Sequence, residues 1–355
     1  MQTSAEWKTL VDRFKSFGGQ VENITQQEGP LGLGLFPIKL DEKFNLIVPR
    51  HLLIPADNVE LKGDEIHIKN QNNFPEGYSE WFSHYQSTFS WGAEGEVSVT
   101  RFEKSLQALP ASVQFELIKL GLYQPDQRLP KLNYRENMLR RFLNCRCLRR
   151  NGQLLIMPIL ELVNHSPLAK NWETDANGNV GVSGNQEGEI FVKYSNADPL
   201  RRLMGFGFNC REQMAFSLDI SVQHRGQTVT VLGGGGRYWF QPPKIQSSVG
   251  SMVIRQPLLG FSQGPKLAKS LFLKACQNLT NVDACELFEQ IHRANILALV
   301  NLLRLLDKQT GEMVCQLRCG CLDQLLVLSD HIGYRPELIQ TDKRFLESGE
   351  ASLLK

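Results

Sequence analysis

Apolar residues first fall into register at Trp7, Leu10, Val11, Phe14 and Phe17. That spacing predicts an amphipathic helix with Ser4 as its N-cap and Gly18-Gly19 as its stop. From 21 to 61 the texture changes. Runs such as Leu46-Ile47-Val48 lie between glycines and prolines and predict short strands. Residues 62–140 differ again: Trp81, Phe82, Tyr85, Phe89 and Trp91 cluster. Phe102, Leu106, Leu109, Val113, Phe115, Leu117 and Ile118 then predict helices broken near Pro110, Pro125 and Pro130. Short apolar runs return at 154–156 and 190–192, and the Asn- and Gly-rich stretch between them, 166–189, predicts a surface loop. Alternation over 214–222, then 228–232 after Arg225-Gly226, predicts a hairpin turning near Gly226. Beyond about residue 264 the pattern is helical. One long apolar helix runs through Ile291, Ala294, Ala298, Leu302 and Leu305, and another covers 321–332.

Composition narrows the class. The chain has 355 residues, 42% of them hydrophobic and 21% charged, enough to bury a sizeable core. Its 39 basic and 37 acidic residues leave a net charge of +2, which argues against a general nucleic-acid or membrane-surface binder. No uninterrupted apolar stretch is long enough for a membrane span, and the first residues lack a signal-peptide pattern. Eight cysteines scattered through the chain fit reduced thiols, so the expected compartment is cytoplasmic.

The candidate chemistry is spread over separate segments. Gly32-Leu33-Gly34 is weak alone, because 29 glycines give roughly two Gly-x-Gly triplets by chance. A dinucleotide-binding turn would open a helix, whereas Pro37 follows here in a strand-like segment. The Gly233 to Gly236 run is followed by Tyr238-Trp239-Phe240 and is read as a flexible turn. Further signals are Arg146, the stretch Pro158-Ile159-Leu160-Glu161-Leu162-Val163-Asn164-His165-Ser166-Pro167, Tyr194, and Gly205-Phe206-Gly207-Phe208.

Taken in order, these segments resemble the split active site of SET-domain protein methyltransferases of the Rubisco large-subunit lysine methyltransferase-like group. The resemblance covers about residues 20–210 in motif and the rest in texture. It implies an α+β fold: a SET-domain β-sheet core split by a helical insertion, followed by a mainly α-helical C-terminal domain. The implied division is 1–61 for the N-terminal helix and first half of the core, 62–140 for the insertion, and 141–210 for the second half of the core. Residues 211–355 would form the C-terminal domain, a hairpin and then helices that bind substrate.

The resemblance also implies roles. Gly32, Leu33 and Gly34 would wrap S-adenosylmethionine, since a missing Cβ lets backbone approach a ligand closely. Arg146 would meet the cofactor carboxylate, which a guanidinium can hold bidentately. Asn164 and His165 would hold the cofactor amine and adenine, and Tyr194 would be the catalytic residue at the methyl-transfer centre. Phe206 and Phe208 would line the substrate pocket. Two positions depart from the family. Phe206 stands where many relatives carry a second tyrosine, which leaves a histidine target open beside lysine. Leu31 replaces an acidic residue common before Gly-x-Gly. The implied activity is lysine N-methylation of a protein substrate, without a metal. The alternatives are protein-histidine N-methylation on the same scaffold, or a catalytically silent SET module that binds a protein partner.

Other signals have plainer readings. Arg128, Lys131, Arg135, Arg140, Arg141, Arg146, Arg149 and Arg150 crowd one region and are read as a solvated helix face with one cofactor arginine, so no nucleic-acid partner is expected. Cys315, Cys319 and Cys321 do not form CxxC pairs and are read as helix cysteines, and Cys145 and Cys147 as packing residues.

Overall fold

The computed structural model describes residues 4–124, 133–234, 241–279 and 282–332. The chain is α+β and forms two compact units. Among the described residues, one unit comprises 4–101 and 133–194, the other 102–124 and 195–332. Each has its own hydrophobic core.

In the first unit, helix Ser4–Ser16 buries Trp7, Leu10, Val11 and Phe14, the face its spacing predicts. It stops before Gly18, whose φ of +102° suits a residue without Cβ. The Trp7 indole donates to the Ile24 carbonyl at 3.1 Å, and the Trp81 indole to that of Leu10 at 3.0 Å. Both buried N–H groups are thereby satisfied, as burial of a polar tip requires. Trp81 stacks on Phe14 and on Tyr85, with ring centroids 5.2 and 5.5 Å apart.

The strands of this unit form several small sheets. Gln20–Glu22, Phe44–Val48, Val180–Gly184 and Glu173–Thr174 lie side by side in that order, all antiparallel. Ile24–Gly29 and Gly32–Pro37 form a tight antiparallel hairpin, the glycine hairpin, in which Gly29 faces Gly32 across the turn. Ile54–Pro55, Gln153–Ile156 and Leu148–Arg150 make a third sheet. Asn164–His165 and Phe191–Val192 run parallel.

Two expectations for residues 62–189, whose segment 102–124 belongs to the second unit, need correction. Residues 166–189 are more than a surface loop: Val180–Gly184 is an inner strand of the four-stranded sheet. Its glycines gave the loop-like texture, but a Cβ on Gly181 would lie 2.5 Å from the Leu46 carbonyl oxygen, so that glycine marks close approach of a neighbouring strand. The block 62–140 is largely helical, with Tyr78–Phe89, Glu96–Gln107, Ala111–Lys119 and Tyr134–Arg146, but it also contains strand Glu65–Ile68. Pro110 sits at the N-cap of Ala111–Lys119, as a helix break there requires; Pro125 and Pro130 lie outside the described residues.

In the second unit, helices Pro265–Cys276, Ala284–Leu306 and Glu312–Ile332 share a core with strands Met214–Phe216 and Leu258–Phe261. Ile220–His224 and Gln227–Leu232 form the expected hairpin around Arg225-Gly226, whose φ values of +48° and +79° give the double left-handed geometry of a tight turn. The alternation over 214–222 does not make one strand. It breaks at Ser217-Leu218-Asp219, where the Leu218 N–H is taken by the Asn295 side chain at 2.7 Å and the Asp219 N–H by the Leu120 carbonyl at 3.0 Å. Gly233 is not a free turn either, because a Cβ there would collide with the Ser217 carbonyl and the Arg201 guanidinium. Gly235 and Gly236 lie outside the described residues. The last helix starts at Glu312, earlier than the apolar run predicts, and so carries Cys315, Cys319 and Cys321. No helix among the described residues is long and apolar enough to cross a membrane.

Candidate active site

The glycine hairpin presents one wall of the site. Gly32 has φ +88°, which a side-chain-bearing residue rarely adopts. Gly34 has no such φ; there the constraint is space. A Cβ on Gly34 would run into the Glu189 carboxylate and lie 2.9 Å from Asn164 Nδ2. One on Gly29 would lie 3.2 Å from the other Glu189 oxygen. The Glu189 carboxylate therefore lies along the hairpin from Gly34 to Gly29.

Asn164 and His165 are delivered beside this wall by their short parallel pairing with Phe191 and Val192. The Asn164 amide donates to the Leu33 carbonyl at 3.1 Å and to Glu189 Oε1 at 2.5 Å. Ile190 N–H donates to the Leu35 carbonyl at 2.7 Å and ties the strand to the hairpin. Glu189 is buried, and that burial pushes its carboxyl above the ordinary range, while the Asn164 hydrogen bond pulls it back.

His165 is buried and turned toward Tyr194: its Nδ1 accepts the Tyr194 backbone N–H at 3.1 Å. An acceptor at Nδ1 places the neutral imidazole's proton on Nε2. The Tyr194 hydroxyl donates to the Val163 carbonyl at 2.7 Å. Trp172 lies parallel to the Tyr194 ring at 6.1 Å, and the His165 ring is 5.1 Å away. Tyr194 is thus fixed at both its backbone and its hydroxyl, and its ring packs against both aromatic neighbours.

Arg146 ends helix Tyr134–Arg146, which an Asn133–Glu136 capping box starts. Its guanidinium lies 5.0 Å over the Phe142 ring and donates to the Glu161 backbone carbonyl at 3.4 Å. The Glu161 side chain is buried. Its Oε1 accepts from the Tyr85 hydroxyl at 2.8 Å, the Gln86 amide at 2.8 Å and the Ser90 hydroxyl at 2.9 Å, while Oε2 has no partner among the described residues. Burial raises this carboxyl, against the pull of Arg146 and the three donors. Just before it, Ile159 is fully buried at φ +66° and ψ −46°, a strained conformation for a β-branched residue. That turn sets the entry of the segment carrying Glu161, Asn164 and His165.

Gly32, Leu33, Gly34, Asn164, His165, Tyr194 and Arg146 all belong to the first unit, and the contacts above join the glycines, Asn164, His165 and Tyr194 through the short strands. Phe206 and Phe208 belong to the second. There Asp198 caps helix Pro199–Phe206, with Pro199 in its first turn, and Gly207 closes it at φ +84°. This helix, which the Gly-Phe-Gly-Phe pattern did not predict, places Phe206 4.6 Å under the Arg202 guanidinium and 6.3 Å from Phe208. Arg202 is buried and pairs with Glu212 at 2.7 Å.

Of the basic cluster, Arg135 pairs with Glu96 and Asp64, and Arg150 donates to the Gly178 carbonyl at 2.8 Å. These arginines brace structure; Arg128 and Lys131 lie outside the described residues. Burial holds the Cys145 and Cys147 thiols above their ordinary value, which suits packing. Sequence reading missed Glu189, Trp172 and the Val163 carbonyl. Glu161 stood in the quoted stretch without a role; its three donors come from 85–90, far away in sequence.

The donor set fits an amino-acid-like cofactor. At Gly34 the space a Cβ would take is held by the Glu189 carboxylate, Asn164 presents its amide beside it, and Arg146 supplies a cation. No protein-family model matches the chain, and no curated protein matches it. Among solved structures, the chain is similar to the SET domain of LSMT bound to lysine and AdoHcy, at 14% identity, covering 99% of this chain and 93% of that one with a TM-score of 0.42. It is also similar to Rubisco LSMT bound to AdoMet, at 15% identity, 97% and 93% coverage and a TM-score of 0.43. A third, Rubisco LSMT bound to sinefungin and monomethyllysine, matches at 14% identity, 99% and 93% coverage and a TM-score of 0.43. These superpositions are loose, so the functional reading rests on the side chains.

Proposed function

We propose that the chain is a SET-type, S-adenosylmethionine-dependent protein methyltransferase that methylates a lysine side chain. The observation that carries this reading is the double anchoring of Tyr194, by His165 at its backbone and Val163 at its hydroxyl, just after the short strand Phe191–Val192 that Glu189, beside Asn164 and Gly34, precedes. Gly32, Leu33 and Gly34 would cradle the cofactor's methionine part, Asn164 its amine, Arg146 its carboxylate, and the His165 segment its adenine. When bound, the cofactor supplies an electrophilic methyl group on a sulfonium.

The remaining work falls to the chain. A lysine amine has a pKa of about 10.4, so only about one in a thousand is neutral near pH 7.4. The Tyr194 hydroxyl has spent its proton on Val163 and would meet a substrate as an acceptor. It can therefore accept an N–H from the amine and turn the amine's own lone pair toward the methyl. His165 and Trp172 hold the ring that carries this hydroxyl. Catalysis of this kind works by alignment and needs no acid–base dyad.

Phe206, in place of a second tyrosine, leaves one alternative open, a histidine target. In this reading 1–61 and 141–210 form the SET core, 62–140 the insertion, and 211–355 the domain that selects the substrate, with Phe206 and Phe208 lining its pocket. The compartment is cytoplasmic.

The test is transfer of a labelled methyl group from S-adenosylmethionine to a cell extract, with Tyr194→Phe beside the wild type. Label in a discrete band that the variant fails to produce supports the enzyme, and mass spectrometry of the labelled peptide separates lysine from histidine. Cofactor binding with no transfer over a broad panel of extracts points to a silent binding module.

A further inference from the structure

An amide side chain can turn either its oxygen or its NH2 group to a ligand unless its neighbours decide. At Asn164 the neighbours do decide. Both partners of its Nδ2 group, the Leu33 carbonyl at 3.1 Å and Glu189 Oε1 at 2.5 Å, are acceptors. The backbone carbonyl cannot donate at all, and an ionised carboxylate cannot either. With both N–H groups committed, the one polar atom of this half-buried side chain with no partner among the described residues is Oδ1.

We infer that Glu189 is a positioning residue: it locks the Asn164 amide so that only a carbonyl oxygen faces the bound ligand, which makes this corner select a ligand ammonium group over any group that lacks a proton to give. The inference rests on the cofactor reading above and assigns that site a specificity device. Glu189 is suited to the task by its placement. It is buried, its two oxygens lie along the hairpin against Gly34 and Gly29, and the absence of a Cβ at Gly34 is what lets the carboxylate reach Asn164. A glutamine at 189 would weaken this control, because its own amide can meet Asn164 with either end and only the Leu33 carbonyl would still hold the orientation.

The experiment is calorimetric titration of the full chain with S-adenosylhomocysteine and with its deaminated analogue, in which hydrogen replaces the amino group. The wild type should prefer the amino compound by about tenfold or more, the size expected of a hydrogen bond to a charged group. Glu189→Gln should reduce that preference to within about threefold, while a double-mutant cycle locates the effect. In an Asn164→Ala background, Glu189→Gln should change the preference by less than about twofold, because Glu189 acts through Asn164. Equal weakening of both ligands by Glu189→Gln, with the preference intact, would make Glu189 a packing residue and overturn the inference. A wild type that binds both ligands equally would overturn it without any variant, and leave the cofactor reading standing. A wild type that binds neither ligand would remove the cofactor reading itself.

Discussion

The Tyr194 hydroxyl and the Val163 carbonyl are 2.7 Å apart, with the tyrosine as donor. This bond fixes which way the hydroxyl lone pairs point. Tyr194→Phe removes the hydroxyl and leaves the Val163 oxygen without that donor, but the ring can keep its place against His165 and Trp172. Methyl transfer should fall by about a hundredfold, the scale at which loss of alignment acts, with S-adenosylhomocysteine affinity within about twofold of wild type. Single-turnover rates and calorimetry check the two halves. A variant that transfers methyl at the wild-type rate would place the chemistry elsewhere.

Arg146 and Phe142 form a stacked pair at the end of a capped helix. Arg146→Lys keeps the charge but loses the planar fork and the stacking. Affinity for S-adenosylhomocysteine should fall by about tenfold, the loss of one charge-assisted hydrogen bond. Its decarboxylated analogue should bind wild type and variant alike. Equal losses for both ligands would remove Arg146 from the carboxylate site.

Glu161 gives a prediction about pH. Burial raises its carboxyl above the ordinary 4.5, so the folded chain holds this proton more tightly than the unfolded chain does. In the window between the raised value and 4.5 the native state binds more protons, and the group's contribution to stability therefore grows as pH falls. Glu161→Gln removes that slope. Urea unfolding of both proteins from pH 7 down to 4.5 should show wild type gaining on the variant with acidification; a difference that shrinks instead would mean that Glu161 is held ionised. Glu161→Ala leaves the Tyr85, Gln86 and Ser90 donors unpaired in the core and should cost about 3 kcal/mol or more.

Phe206 lies under the Arg202 guanidinium. Phe206→Tyr adds one hydroxyl at a position proposed to line the substrate pocket, and the number of methyl groups added should change. Mass spectrometry of the methylated product reads this directly. Unchanged products and rate would take Phe206 out of the pocket.

Much of the framework was legible because it is written in local spacing. Trp7, Leu10, Val11 and Phe14 define a helix face without any knowledge of what covers it, and Arg225-Gly226 carries a tight turn in two residues. Asn164, His165 and Tyr194 were legible as residue types in order, and their contacts follow from one short strand pairing. Glu189 was not, because its meaning lies in contacts with Gly34 and Asn164, remote in sequence, and nothing beside it marks it out. Strand Val180–Gly184 was hidden for a related reason: Gly181 reports a neighbouring strand's approach, which in one dimension looks like loop composition. The signals for helix Pro199–Phe206, Asp198 as N-cap and Pro199 behind it, were present but were outweighed by the glycine-phenylalanine pattern that follows them.

Cofactor binding at the Gly34 hairpin is open to a single substitution. Gly34 has no left-handed φ, so alanine fits the backbone there, and the new Cβ acts only by displacing the Glu189 carboxylate and the Asn164 amide. Equilibrium dialysis against labelled S-adenosylmethionine should show saturable one-to-one binding to the wild type and at least about tenfold weaker binding to Gly34→Ala, or about 1.4 kcal/mol. No saturable binding to the wild type, or undiminished binding to a folded Gly34→Ala, would contradict it.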